Sequence, residues 1–365
     1  MSLKCGIVGL TNVGKTTIFN CISNTKAQAT NFAFSSNKSN IGMAYVPDAR
    51  LQVLEKFQKT EKLVPTTVEL VDIPGLAKGA SQGEGVGNKF LADIRQTDAI
   101  IHVLRCFDDV NLPHIEGSIN PVRDREILDL ELQIKDLESV EKKLQKYEKL
   151  LRSGDKEAVR GVEVLKVYKD HLESFQSART APVDEDDKKF IEDIYLLTLK
   201  PTLYVCNVDE NSAVKGNKYV DAFKASMKED DAEVIIIAGA MEADIAELES
   251  IEDRLVFLED VGLKEPGVNK LIRAAYSLLK LRTFFTVGPK EIKAWTIAAG
   301  MTAPQASGVI HSDLERGFIR AEVMKYNDFI ALGSEHACKE AGKFYVEGKN
   351  YIVDDGDILH IRFNV

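Results

Sequence analysis

The chain has 365 residues, too many for one ordinary core, and 44% hydrophobic with 28% charged residues is the balance of a globular protein of two or three domains. Its formal net charge of −10 argues against a protein that coats nucleic acid by bulk electrostatics, so any RNA contact has to be local. Cys5, Cys21, Cys106, Cys206 and Cys338 stand singly with no Cys-x-x-Cys pair, so neither a disulfide framework nor a zinc site is indicated. No apolar run approaches membrane-spanning length, and Met1-Ser2-Leu3-Lys4 leads straight into a strand; the expectation is a cytoplasmic protein with no membrane partner.

The apolar run from Leu3 to Val8 is followed by Gly9-Leu10-Thr11-Asn12-Val13-Gly14-Lys15-Thr16 and then by the helical pattern Thr17-Ile18-Phe19-Asn20-Cys21-Ile22. This is a Walker A loop between a strand and a helix. Its glycines let successive amides turn inward around a phosphate chain, Lys15 reaches the β/γ oxygens, and the Thr16 hydroxyl is placed to ligate Mg²⁺. In the polar stretch from Thr30 to Ser39, Ser35 or Ser36 is a candidate second hydroxyl for the metal. Pro47 opens a helix with Leu51, Leu54 and Phe57 on one face.

Val68 to Gly75 reads as a buried strand ending in Asp72-Ile73-Pro74-Gly75, which places Asp72 to hold Mg²⁺ through its water shell and frees the Gly75 amide for the γ-phosphate. The glycine-dense run from Leu76 to Asn88 reads as a nucleotide-ordered switch. Many GTPases carry a water-orienting glutamine just after Asp-x-Pro-Gly; here that position is Leu76, which has no such chemistry. Phe90 to Arg95 is helical, and Ala99 to Phe107 is another buried strand. The loop from Asp108 to Asn120 that follows it contains His114, a candidate group for orienting or deprotonating water.

From Glu126 to Leu151 the apolar residues Ile127, Leu130, Ile134, Leu137, Leu144 and Leu151 follow alternating three- and four-residue steps, the pattern of a coiled-coil seam. After Ser153-Gly154-Asp155 a second arm carries Val159, Val162, Leu165, Leu172 and Phe175, so an antiparallel helical hairpin is expected. The sheet pattern returns in the run ending Asn207-Val208-Asp209-Glu210 and again from Val234 through Ala240, with helices to about Arg282. Short strands around one helix make residues 283–365 a small α+β module of the β-grasp type. The expected fold is therefore α/β, a P-loop NTPase domain (1–121 and 199–282) with a helical insertion (122–198) and a C-terminal β-grasp domain (283–365).

With these motifs the chain resembles the Obg-like ATPases, the YchF-type branch of the translation-factor-related GTPases. The resemblance covers the full length, including Lys78-Gly79-Ala80-Ser81-Gln82-Gly83-Glu84-Gly85 and a closing module like a TGS domain, with Thr302-Ala303-Pro304-Gln305-Ala306 and Tyr351-Ile352-Val353-Asp354-Asp355-Gly356-Asp357. The fourth motif of related GTPases, Asn-Lys-x-Asp, uses its aspartate to read guanine. Here Val208 stands at the lysine position and Glu210 at the aspartate position, the form found in relatives that prefer ATP. The resemblance implies contacts to ATP from Asn12, Val13, Gly14, Lys15, Thr16, Thr17, Gly75, Phe107, Asn207, Val208, Glu210 and Ala240. Mg²⁺ is expected on Thr16, Ser36 and Asp72, and catalytic roles are expected of Lys15, from the Walker A loop, and of His114, from its place after a sheet strand; the resemblance adds a ribosomal partner, and a monomer is expected. K⁺ held near Asn12 is an alternative to His114. The chain departs from the family at Thr11, where proline is usual, and at Ser36-Asn37-Lys38-Ser39, where Thr-Ile-Glu/Asp-Pro is usual.

Overall fold

The computed structural model describes residues 3–23, 40–75, 86–152, 155–227 and 232–364. The elements run β1 (Lys4–Val8), α1 (Lys15–Ser23), β2 (Asn40–Tyr45), α2 (Ala49–Phe57), β3 (Leu63–Val64), β4 (Thr67–Asp72), α3 (Val86–Arg95), β5 (Ala99–Cys106), α4 (Pro121–Arg152) and α5 (Lys156–Glu173). Then come β6 (Thr202–Val208), α6 (Lys218–Ser226), β7 (Val234–Ile237), α7 (Gly239–Glu247), α8 (Ile251–Asp260) and α9 (Gly267–Leu278). The chain closes with β8 (Leu281–Val287), β9 (Ile292–Ala298), α10 (Ala303–Ile310), α11 (Ser312–Arg316), β10 (Phe318–Lys325), α12 (Tyr326–Leu332), α13 (Glu335–Glu340), β11 (Tyr345–Glu347) and β12 (Asp357–Phe363). Val86, Gly87 and Asn88, expected in the switch loop, are the first turn of α3.

One compact unit comprises Met1–Gly42 and Glu69–Leu271, a second Met43–Val68 and Ile272–Val365. The first is built on a sheet of order β2-β4-β1-β5-β6-β7, in which β1 pairs parallel with β4 and β5, and β6 parallel with β5 and β7. All eight residues of β5 are buried, the pattern of a parallel strand covered on both faces, and this is why its sequence is a continuous apolar run. Because these strands share a direction, the loops after β1, β4, β5, β6 and β7 open along one carboxyl edge, where open α/β sheets hold ligands.

The insertion is a helical hairpin with a third layer. Leu144, Val162, Leu165 and Leu172 are buried as the seam requires, but they share their core with Val140, Tyr168, Phe190, Ile191 and Leu196, the last three from the short turns after α5. Leu130, Leu151, Val159 and Phe175, expected in the seam, are exposed. Asp136 on α4 fastens the third layer: its carboxylate accepts from the Leu197 and Thr198 amides, each at 2.7 Å, and from the Thr198 hydroxyl at 2.7 Å. A two-helix heptad reading missed this because Asp136 is a polar residue fully buried for hydrogen bonding.

The second unit is a mixed sheet of order β11-β10-β12-β8-β9-β3, with β8–β9 and β10–β12 antiparallel and β12 parallel to β8. Adjacent residues of a strand face opposite sides. Phe284 accordingly packs with Ala303 and Ala306 of α10, while Phe285 packs with Leu51 and Leu54 of α2 and Phe329 of α12. Besides the expected module 283–365, this compact unit takes in residues 43–68 and 272–282, and the apolar face of α2 is complementary to the strands of this sheet.

Candidate functional site

Along the carboxyl edge of the first sheet lies a cavity of about 940 Å³. The loop after β1 forms one wall, with Asn12, Val13, Gly14, Lys15, Thr16 and Thr17 all on it. Asn12 and Gly14 adopt φ of 61° and 92°, left-handed values that glycine takes freely and asparagine tolerates. At Gly14 a Cβ would also collide with Nδ2 of Asn207. The amides of Lys15, Thr16 and Thr17 open α1 and have no partner one turn earlier in the helix, which makes this wall an anion-binding end.

Lys15 is buried, and its ammonium donates to the Leu10 carbonyl at 2.6 Å. Burial lowers its pKa to about 8 against the opposing pull of Asp72. The ammonium lies 3.0 Å from where a Cβ on Gly75 would stand, so the bare glycine brings the backbone after β4 close to this cation. At the end of β4, Asp72 accepts from the Thr16 hydroxyl at 3.1 Å. Burial raises the Asp72 pKa, while Thr16 and Lys15 pull it down. A hydroxyl and a carboxylate side by side at the phosphate wall are an oxygen donor set suited to hydrated Mg²⁺. Among the described residues no group of three or more His, Cys, Asp or Glu could hold a metal ion. Ser36 and Leu76 lie outside the described residues.

The opposite wall carries Phe107, Asn207, Val208, Glu210 and Ala240. Asn207 ties the walls together, donating from Nδ2 to the Val13 carbonyl at 2.9 Å and accepting from the Gly239 amide at 2.9 Å. Two carboxylates follow it, and they have different jobs. Asp209 caps the next turn, accepting from the Ser212 amide at 3.2 Å and the Ser212 hydroxyl at 3.0 Å. Glu210 is exposed on the cavity wall.

Sequence reasoning missed Arg105. It is 1% exposed, and its guanidinium donates to the carbonyls of Phe107 at 3.1 Å, Asn12 at 3.4 Å and Asp109 at 3.5 Å while stacking on the Phe107 ring at 4.4 Å. It therefore joins the phosphate wall to the wall formed by the loop after β5. Its signal was a lone cation near the end of an otherwise buried apolar strand.

The structure does not bring His114 to this cavity. Leu112 lines it, but the His114 ring is buried two residues further on. Nδ1 accepts from the Glu116 amide at 3.0 Å, which assigns the proton to Nε2, and Nε2–H donates to Asp124 at 2.8 Å. Arg123 holds the other oxygen of Asp124 at 2.8 Å. Among the described residues no helix is long and apolar enough to cross a membrane.

Two family models match: one described as 50S ribosome-binding GTPase over residues 4–151, and one for the C-terminal part of YchF GTPases, described as a protein of unknown function (DUF933), over residues 281–364. The chain is similar to the ribosome-binding ATPase YchF of Haemophilus ducreyi, at 48% identity over 365 residues covering all of both chains. It is also similar to the protein of the same name from Bacillus subtilis, at 47% over 367 residues and again the whole of both. Among solved structures, the Schizosaccharomyces pombe YchF GTPase matches with a TM-score of 0.88 at 34% identity, covering 99% of this chain and 98% of that one.

Proposed function

The chain belongs to the YchF family, and from that membership and the cavity's geometry we propose that it is a ribosome-associated regulatory ATPase that binds and hydrolyses ATP in preference to GTP. Nucleotide hydrolysis is the activity of the family and of the Walker A loop. The observation that carries the base preference is the division of labour between Asp209 and Glu210. Guanine reading needs an aspartate that presents both carboxylate oxygens to the base edge, whereas here Asp209 is engaged by Ser212 and the longer Glu210 stands at the reading position. Titration with labelled ATP and GTP tests this, and a tenfold preference for GTP, about 1.4 kcal/mol, overturns it.

In this reading Lys15 leaves the Leu10 carbonyl for the β/γ oxygens, the α1 amides cradle the phosphates, and Asn207 and Arg105 fix the loop that presents them. Mg²⁺, when bound by Thr16, Asp72 and the Ser36 hydroxyl, supplies charge neutralisation on the phosphates. Phe107 and Ala240 flank the base. Leu76 has no proton chemistry, so His114 positions the water after releasing Asp124, with K⁺ near Asn12 as the competing device. Turnover of the parent and of His114→Ala in K⁺ and Na⁺ buffers separates them: a variant as fast as its parent removes His114, and a K⁺ requirement selects the cation.

The engagement of both His114 nitrogens favours a second reading, a nucleotide-gated ribonucleoprotein-binding protein whose slow hydrolysis is incidental. Ribosome-stimulated turnover distinguishes the two, since a purely gated binder shows none. The relatives' names supply the ribosome; the helical arm and the C-terminal module, which we assign as a TGS domain, are the docking elements of a cytoplasmic monomer. Deleting 126–175 or 283–365 is expected to weaken co-sedimentation with ribosomes while ATP binding persists in a folded remainder.

A further inference from the structure

Helix α8 is capped by Ser250, whose hydroxyl accepts from the Asp253 amide at 2.9 Å, and it meets the core of the first unit through Leu258 with half-buried Phe257 beside it. Of its ten residues only Leu258 is buried. Ile251 is 72% exposed, and Leu255 and Val256 are each 59% exposed. Ile251 and Leu255 are one turn apart on the same stripe, and Val256 lies about 100° further round the helix. Singly exposed apolar residues are ordinary, but three on one ten-residue helix, with Glu252 and Glu259 interleaved between the Ile251–Leu255 stripe and Val256, make an exposed apolar and acidic face.

The surroundings of that patch are acidic. Glu252 lies one turn from Val256, Glu259 one turn from Leu255, and Glu247, Glu249, Asp253 and Asp260 flank them, all six exposed. The lone basic residue from 244 to 260 is Arg254, and its guanidinium is turned to the Leu248 carbonyl at 2.6 and 2.8 Å, where it caps the end of the preceding helix. The patch thus presents hydrocarbon within a field of one sign. Phosphate backbones and anionic bilayers are repelled by such a field, as is a second copy of the same face.

Building on the ribosomal reading above, we propose that α8 is a docking surface for a basic protein segment of the ribosome, one in which Leu or Ile side chains are flanked by Lys and Arg. The apolar residues of the segment cover Ile251, Leu255 and Val256, and its cations meet Glu252 and Glu259, which is complementarity in both shape class and charge. The contact is separate from the nucleotide cavity, since none of these side chains lines it.

The test uses the full chain with ATP bound and salt-washed ribosomes. Two variants, Ile251→Ser/Leu255→Gln/Val256→Gln and Glu252→Lys/Glu259→Lys, change only exposed side chains, so ATP affinity and thermal transition are expected to match the parent. Each is expected to weaken ribosome co-sedimentation at least tenfold. A photoreactive residue at position 255 is expected to cross-link a basic ribosomal protein in a nuclease-resistant adduct. Variants that sediment like a parent that does bind overturn the assignment of α8. A cross-link to RNA, or a change of oligomeric state in the variants, overturns it in favour of RNA or a second copy. A parent that does not sediment with ribosomes overturns the ribosomal reading itself, and this inference with it.

Discussion

Asn207→Ala removes a side chain that is 4% exposed and that satisfies two buried backbone groups, the Val13 carbonyl and the Gly239 amide, each at 2.9 Å. Leaving a buried polar group unpaired costs ~1–3 kcal/mol, so the two together set an upper bound of ~6 kcal/mol. The neighbouring cavity admits water to part of the space, which brings the expected cost to ~2–4 kcal/mol. The loss falls on the arrangement that holds Gly14 at a φ of 92° and its amides inward, the arrangement that phosphate needs. At 1.4 kcal/mol per tenfold, ATP affinity is expected to fall by about one and a half to three powers of ten. Asn207→Asp keeps the oxygen that faces Gly239 but sets a carboxylate oxygen against the Val13 carbonyl, and it is expected to be no better than alanine. Calorimetric titration with a non-hydrolysable ATP analogue, alongside thermal unfolding, reads both effects. Two variants that bind within threefold of the parent, with unchanged unfolding, would refute the claim that Asn207 braces the phosphate loop.

Lys15→Ala is expected to abolish tight triphosphate binding and Asp72→Ala to weaken its Mg²⁺ dependence while both variants stay folded; parent-like ATP turnover in either contradicts the site. Arg105→Met keeps the bulk but loses three hydrogen bonds and the stack on Phe107, and it is expected to raise the KM for ATP more than it lowers kcat, with Arg105→Lys between. A fall in kcat with KM unchanged would point to loss of folded enzyme instead. Burial pushes the Asp136 carboxyl up to about 6 against the hydrogen bonds from Thr198 and Leu197. A raised acid pKa means that the folded state keeps a proton the unfolded state has released. Stability of the insertion therefore falls as pH rises from about 4 to 6, by ~3 kcal/mol in all, and is lowest for this group above that window. Hydrogen-exchange protection of the Leu197 and Thr198 amides, corrected for intrinsic rates, is expected to increase from pH 7 to pH 5; constant or falling protection contradicts it.

The sheet of the first unit was legible because its parallel strands are buried on both faces and leave unbroken apolar runs, as at Ala99–Cys106. The phosphate wall was legible because a Walker A loop fixes both residue type and spacing. What the sequence concealed are the places where a segment serves a partner far away in the chain. The periodicity of α2 identified Leu51 and Leu54 as an apolar face but not that Phe285 and Ile292 are what this face covers, more than two hundred residues on. The seam of the helical arm was read too long for a similar reason. A heptad template assumes two helices, and here Phe190, Ile191 and Leu196 join the core of the arm while Leu130, Val159 and Phe175 are exposed.

His114 illustrates the limit of position as a guide to chemistry. Its place after a sheet strand marked it as a candidate, and Leu112 confirms that this loop reaches the cavity. Whether an imidazole acts on water depends on what its nitrogens hold, and that is set by residues whose sequence gave no signal. The Glu116 amide fixes the tautomer and Asp124, itself gripped by Arg123, takes the proton-bearing nitrogen. Asp124 lies in the first turn of α4, the same helix whose Asp136 fastens the third layer of the arm. Any displacement of the first turn of α4 thus acts on the His114 ring directly, through one hydrogen bond of 2.8 Å, while a displacement that leaves this turn in place does not reach it.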